Sequence, residues 1–236
     1  MRQPLRRDPE DQPDDDARFR PPGWAAQPEA PPPPEGVLAL LHQQALDWCR
    51  DRSWEVRLPV LLFFAYVLVR HLAQLEYGSF VFNGINLGFH EMGHVVFRPF
   101  GELLMIAGGT ILQCLVPIVA AVGFYLSQKD FFAVAFCMGW FATNCFNCSV
   151  YAMDAQGRLN LPLVSPWGQG FGADGMGDWT RMLSKLGKLH WDSKIAFAWK
   201  SLGVISMLGC FLFGGWLLWQ MHLARSAPPP EKPSWA

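Results

Sequence analysis

Five apolar blocks, at about 58–73, 80–97, 103–126, 131–153 and 195–219, constrain this chain more than any other feature. A helix needs roughly 17–25 apolar residues to cross a hydrocarbon core about 30 Å thick. Lipid offers the backbone no hydrogen-bond partners, so segments that cross it alone become helices. The expected fold is therefore all-α: a polytopic membrane bundle of about five transmembrane helices, with an amphipathic helix at the interface. The block at 58–73 is short for a span, and Arg57 and Arg70 at its ends are placed to snorkel toward water. A formal net charge of −1 gives no electrostatic case for binding nucleic acid.

Polar segments frame these blocks. Residues 1–35 are rich in Arg, Asp and Pro, with Asp14, Asp15 and Asp16 in a row and Pro31 to Pro34 after them. Such a composition buries too little apolar surface to offset its ordering entropy, and the proline run favours an extended left-handed helix. No apolar signal-peptide core is visible at the start, so insertion is expected to begin with the first span. In 36–52, Val37, Leu40, Leu41, Ala45 and Trp48 follow helical spacing, and this helix is expected along the membrane surface or packed on the protein itself. Residues 53–222 form the membrane domain, interrupted by a polar loop at 154–194. A second tail with Pro228 to Pro230 occupies 223–236. Five of the six cysteines lie in apolar blocks and are expected to behave as small hydrophobes; Cys145 and Cys148 form a Cys-x-x-Cys without a second pair.

Lys and Arg in short loops set membrane orientation. With strictly alternating spans, the N-terminal tail, Arg98 and the loop bearing Arg158, Arg181, Lys185, Lys188 and Lys194 share one side. That side is expected to be cytoplasmic, which makes the chain a multi-pass protein of a plasma or inner membrane with a cytoplasmic N-terminus.

The block at 80–97 contains His90-Glu91-Met92-Gly93-His94. Positions four apart lie about 40° from each other around a helix, so the two imidazoles point the same way, one turn apart. Two such rings suit one zinc ion, with Glu91 beside them as a general base. Zinc lowers the pKa of bound water to roughly 7, and a carboxylate can take that proton and pass it to a leaving amine. Ionisable groups are costly in an apolar helix and mark function there, which argues against a solvated surface patch. Asn83 and Asn86 are expected to face protein, and Gly84 and Gly88 to admit a neighbouring helix. Gln113, alone in the next block, suits an interhelical hydrogen bond or a substrate contact.

Catalytic zinc usually has three protein ligands, so a third is needed. Asp154 is one candidate: Asn144, Asn147, Tyr151 and Asp154 fall within an arc of about 80° on a single helix. That polar stripe is either a site face or an interhelical hydrogen-bond seam, and Asn144 and Asn147 are candidate donors to a developing oxyanion. Asp178, heading a helix-like run to Leu183, is a second candidate, although Asp is equally suited to a plain N-cap. Asp174, followed by Gly175, is a third.

A His-Glu-x-x-His in a membrane helix with a distal Asp resembles the site-2 protease family of intramembrane zinc metalloproteases. The resemblance covers about 90–183. It implies a three-helix membrane core in which two histidines of one helix and an aspartate of another hold zinc. That aspartate sits in an Asn-x-x-Pro…Asp-Gly pattern. Here Asn160, Leu161 and Pro162 precede Asp178, the spacing is stretched, and Trp179 stands where glycine is usual. By this similarity His90, His94 and Asp178 are the metal ligands, with Asp154 kept as the geometric alternative, and Glu91 is the base. The implied reaction is hydrolysis of a peptide bond in or near the transmembrane helix of another membrane protein. The altered Asp-Gly region motivates an alternative, a catalytically inactive scaffold or metal-binding subunit of the same fold. A transporter using intramembrane His and Asp is disfavoured by the few spans and the lack of an internal repeat.

Overall fold

The computed structural model describes residues 36–73, 80–159, 161 and 176–226. By contacts the chain divides into Met1–Leu40 and Leu41–Ala236; the first contributes only the opening turn of a helix to the described residues, and the helical bundle belongs to the second. The described residues are helical throughout, without strands: α1 (Val37–Cys49), α2 (Leu58–Leu72), α3 (Phe80–Phe97), α4 (Glu102–Gln128), α5 (Phe131–Met153), α6 (Asp178–Lys185) and α7 (Asp192–Ser226). Single 3₁₀ turns at Arg98–Phe100 and Leu189–Trp191 link α3 to α4 and lead into α7.

Among the described residues, three helices are long and apolar enough to cross a membrane: α4, α5 and α7 with its preceding turn. Their outward faces carry large apolar side chains such as Val119 on α4 and Leu212 on α7, which are exposed although the helices are otherwise packed. The expected count of five spans narrows accordingly. α2 has 15 residues, and α3 is interrupted by its own polar side chains.

The helices stand side by side in the order α3, α4, α5, α7, each antiparallel to the next. Along α4 and α5, Gln113 meets Asn147 near one end and Tyr125 meets Phe131 at the other. The turn between them is made by Lys129 in the left-handed region and by Asp130, whose Oδ1 accepts from the Ala133 N–H at 2.9 Å. Along α5 and α7, the Ser149 hydroxyl donates to the Ala196 carbonyl, and the Ser206 hydroxyl to that of Met138. Leu61, Phe64, Phe146, Met207 and Leu217 fill the core between α2, α5 and α7.

One expectation about direction is corrected. Leu61 lies by Gly214 and Ala135, Phe64 by Gly139, and the His71 ring stacks on Phe146 at 4.0 Å, so α2 runs the same way as α5. Phe82 stacks against Phe64 and Trp140, and Trp140 donates to Asn86, so α3 also runs with α5. Two successive spans joined by a short connection must run opposite ways; α2 and α3 do not, and the strict alternation fails. In α1, Ala45, Trp48 and Cys49 are buried against protein, with the Trp48 ring edge-on to Phe131 and Gln44 accepting from the Tyr125 hydroxyl, so this part of α1 packs on the protein, one of the two expected arrangements. It packs at the Tyr125–Phe131 end, where Arg225 also pairs with Glu55. His94 and Asp178 lie toward the other end of α4.

Candidate metal centre

α3 and α4 cross closely because glycines meet there. A Cβ at Gly93 would fall 2.1 Å from the Gly108 carbonyl oxygen, and one at Gly108 would fall 2.5 Å from that of Gly93. The pair expected to make this approach, Gly84 and Gly88, has nothing within 4 Å. The consequence for the site is direct, since a Cβ at Gly109 would sit 2.6 Å from His90 Nε2. The ring therefore lies flat over the bare backbone of α4.

Backbone and side-chain acceptors orient both rings. His94 Nδ1 is 2.8 Å from the carbonyl oxygen of Met105. A carbonyl only accepts, so that nitrogen carries the proton, and in the neutral ring Nε2 keeps its lone pair. His90 Nδ1 is 3.0 Å from Gln113 Oε1, which assigns it the same tautomer. Gln113 Nε2 in turn lies 3.2 Å from Asn147 Oδ1 and 3.8 Å from Cys148 Sγ.

Both Nε2 atoms meet Asp178. Its Oδ2 is 2.9 Å from His90 Nε2 and 3.1 Å from His94 Nε2. The three donor atoms lie within 4.8 Å of one another, the arrangement of a metal-binding group. Lone pairs of two rings and a carboxylate oxygen repel at such range unless a cation sits among them, either a shared proton or a metal ion. The donor set fits a metal. Zn–N and Zn–O bonds of about 2.0–2.1 Å imply a tetrahedral edge of about 3.3 Å, close to both separations. Burial pushes the Asp178 carboxyl up, but the two rings beside it, bonded to it through the shared proton when no metal is bound, outweigh this and hold the group well below the usual carboxylate range.

α6 brings Asp178 there. Its N-cap is Gly177, so Asp178 is the first helical residue rather than the cap, and its side chain is left for the histidines. Leu183 is buried, the Thr180 hydroxyl donates to the Ala155 carbonyl at 2.8 Å, and Lys185 pairs with Glu102 at the start of α4. The helix is thus tied to both α5 and α4.

Around this cluster lies a cleft of about 760 Å³ that runs along α3 from Asn83 to His94, with Glu91, Asn147 and Tyr151 in its walls. Asp154 also lines it, but both its oxygens are engaged elsewhere. They accept from the Leu159 N–H at 2.6 Å and the Leu161 N–H at 2.9 Å, folding the chain back after α5. Asp154 stands apart from the donor cluster, which corrects its candidacy as third ligand.

Asn144 is corrected too. It is fully buried and outside the cleft, and its Nδ2 donates to the Gln113 carbonyl at 3.0 Å. Pro117 explains this contact. In a regular helix the residue-117 N–H would bond the residue-113 carbonyl, and proline has none. Asn144 supplies the missing donor from the neighbouring helix. Asn147 does line the cleft, with its Oδ1 held by Gln113. Asp174, Asn160 and Pro162 lie outside the described residues. Sequence reading left Gln113 open between a contact and a seam and passed over Met105; a lone amide in an apolar helix was the available signal for the first, and none marks a backbone carbonyl. Comparison with known protein families, with curated proteins and with solved structures finds no match.

Proposed function

We propose that this protein is an intramembrane zinc metalloendopeptidase that hydrolyses a peptide bond in or near the transmembrane helix of another membrane protein. The observation that carries the reading is the convergence of His90 Nε2, His94 Nε2 and Asp178 Oδ2 in a cleft that also holds Glu91. His90, His94 and Asp178 would hold the metal. When bound, zinc supplies a Lewis acid that makes a neighbouring water acidic near neutral pH.

The chain's own groups do the rest. Glu91, in the wall of the same cleft, would take the water's proton and return it to the leaving amine. The Met105 carbonyl and Gln113 hold the two rings so that Nε2 faces the cleft. With its Oδ1 already held, Asn147 has amide N–H groups left to meet negative charge that develops on the substrate carbonyl. A substrate helix hides its backbone in its own hydrogen bonds, so the segment entering the cleft is locally unwound. In this reading α4, α5 and α7 cross the bilayer, α3 stands beside α4, and the metal lies below the lipid surface.

Trp179 lines the cleft where the resemblance sets a glycine, and this favours a second reading, a metal-binding scaffold without proteolysis. One experiment separates the two. Bound zinc is measured in the purified full-length protein and in Glu91→Gln, and both are assayed against a panel of membrane helices. The peptidase reading expects zinc in both and cleavage only by the wild type. Zinc in both with no cleavage across the panel leaves the scaffold, and absence of zinc from the wild type overturns the metal reading altogether.

A further inference from the structure

Gln113 is 3% exposed in the middle of α4, one of the most apolar helices of the chain, and a buried amide there has to be fully partnered. Its side chain is held at both ends: Oε1 toward His90 Nδ1, and Nε2 toward the two acceptors Asn147 Oδ1 and Cys148 Sγ. Its main chain is held as well. Pro117 leaves the Gln113 carbonyl without its helical donor, and Asn144 fills that place from α5. One residue of α4 is therefore fixed by three residues of α5 and presents a single acceptor to α3.

We infer that Gln113 is a positioning residue that sets the tautomer and rotation of the His90 ring, so that Nε2 rather than Nδ1 is offered to the cation shared with His94 and Asp178. The inference rests on the metal reading above and deepens it. Because Nδ1–H is bound to Oε1, the ring is held against rotation about its Cβ–Cγ bond, and Nε2 is the nitrogen left for the shared cation, aimed at Asp178 Oδ2 at 2.9 Å. A ligand histidine commonly donates its other N–H to such an acceptor, and loss of the acceptor typically weakens metal binding 10–100-fold. His94 obtains the same service from a backbone carbonyl, which no side-chain substitution removes. His90 is thus the ring whose orientation depends on a replaceable side chain.

The test uses the full-length protein in detergent, with ¹⁵N-labelled histidine and zinc alone as the probe. In the metal-free wild type, where Nε2 shares a proton with Asp178 and His94, the His90 ring is expected to carry a proton on Nδ1 as well; a ring with Nδ1 deprotonated overturns the inference. Zinc titration of Gln113→Leu is expected to show affinity 10–100-fold below wild type. Gln113→Glu, which keeps the acceptor, is expected to bind at least as tightly as wild type. Gln113→Leu binding within twofold of wild type, or Gln113→Glu as weak as Gln113→Leu, overturns it. Should Gln113→Leu fail to fold, the wild-type tautomer and the Gln113→Glu titration still decide. A wild type that binds no zinc sinks the metal reading, while the tautomer measurement judges Gln113 independently.

Discussion

Gly109→Ala puts the sharpest strain on the site with the smallest chemical change. The new methyl carbon would fall 2.6, 2.7 and 2.8 Å from three atoms of the His90 ring. Ordinary contact begins near 3.4 Å, so either the ring or α4 has to give by about 0.8 Å. α4 cannot retreat easily, because Asn144 and Asn147 of α5 hold it on its far side through Gln113. The ring moves instead, and with it Nε2. Metal–ligand distances tolerate about 0.2 Å, so a shift several times larger removes one of three protein ligands. Zinc content after dialysis, set beside thermal unfolding of the metal-free protein, measures this. Gly109→Ala is expected to lose zinc at least tenfold more readily than wild type while unfolding within a few degrees of it. Gly123→Ala is the control: it adds the same methyl to the same helix at a position with nothing within 4 Å. Wild-type zinc retention by Gly109→Ala would refute the reasoning, as would equal loss in both variants.

Other consequences come from the packing. If Asn144 serves the carbonyl that Pro117 leaves open, then Asn144→Leu and Pro117→Ala are coupled. Asn144→Leu is expected to cost about 1 kcal/mol less in the Pro117→Ala background, where the helix supplies its own donor, and a double-mutant cycle by thermal unfolding reads the coupling. Additive effects would remove that role. The direction of the helices predicts that Lys129→Cys and Lys185→Cys are labelled from opposite faces of a sealed vesicle by an impermeant thiol reagent, against six native cysteines that are all buried. Labelling of both from one face would contradict a bundle in which α4 and α5 cross.

The parts of this architecture that were legible in the sequence are those fixed by local spacing. The histidines share a face because they are four apart, and α3 and α5 begin and end where their apolar blocks do. Asp178 was one of three aspartates, and spacing alone did not separate them. What separates them is tertiary: Leu159 and Leu161 consume Asp154, whereas Gly177 takes the cap and leaves Asp178 to the rings. Gly84 and Gly88 read as well as Gly93 and Gly108 for a close helix approach, since a small residue declares that a neighbour can come near and not that one does. The role of Asn144 was hidden because its partner is created by a proline on another helix. Alternation of spans misled for α2 and α3 because it assumes that every apolar block crosses, and the contacts each makes along α5 show the two running the same way.

The most direct test of the central claim is X-ray absorption at the zinc edge on the purified, zinc-loaded full-length protein. His90, His94 and Asp178 predict a shell of nitrogen and oxygen alone, with two imidazole signatures, that loses occupancy in Asp178→Asn. Cys114, Cys145 and Cys148 lie buried nearby, so sulfur at about 2.3 Å would contradict the claim, as would zinc bound equally well without Asp178.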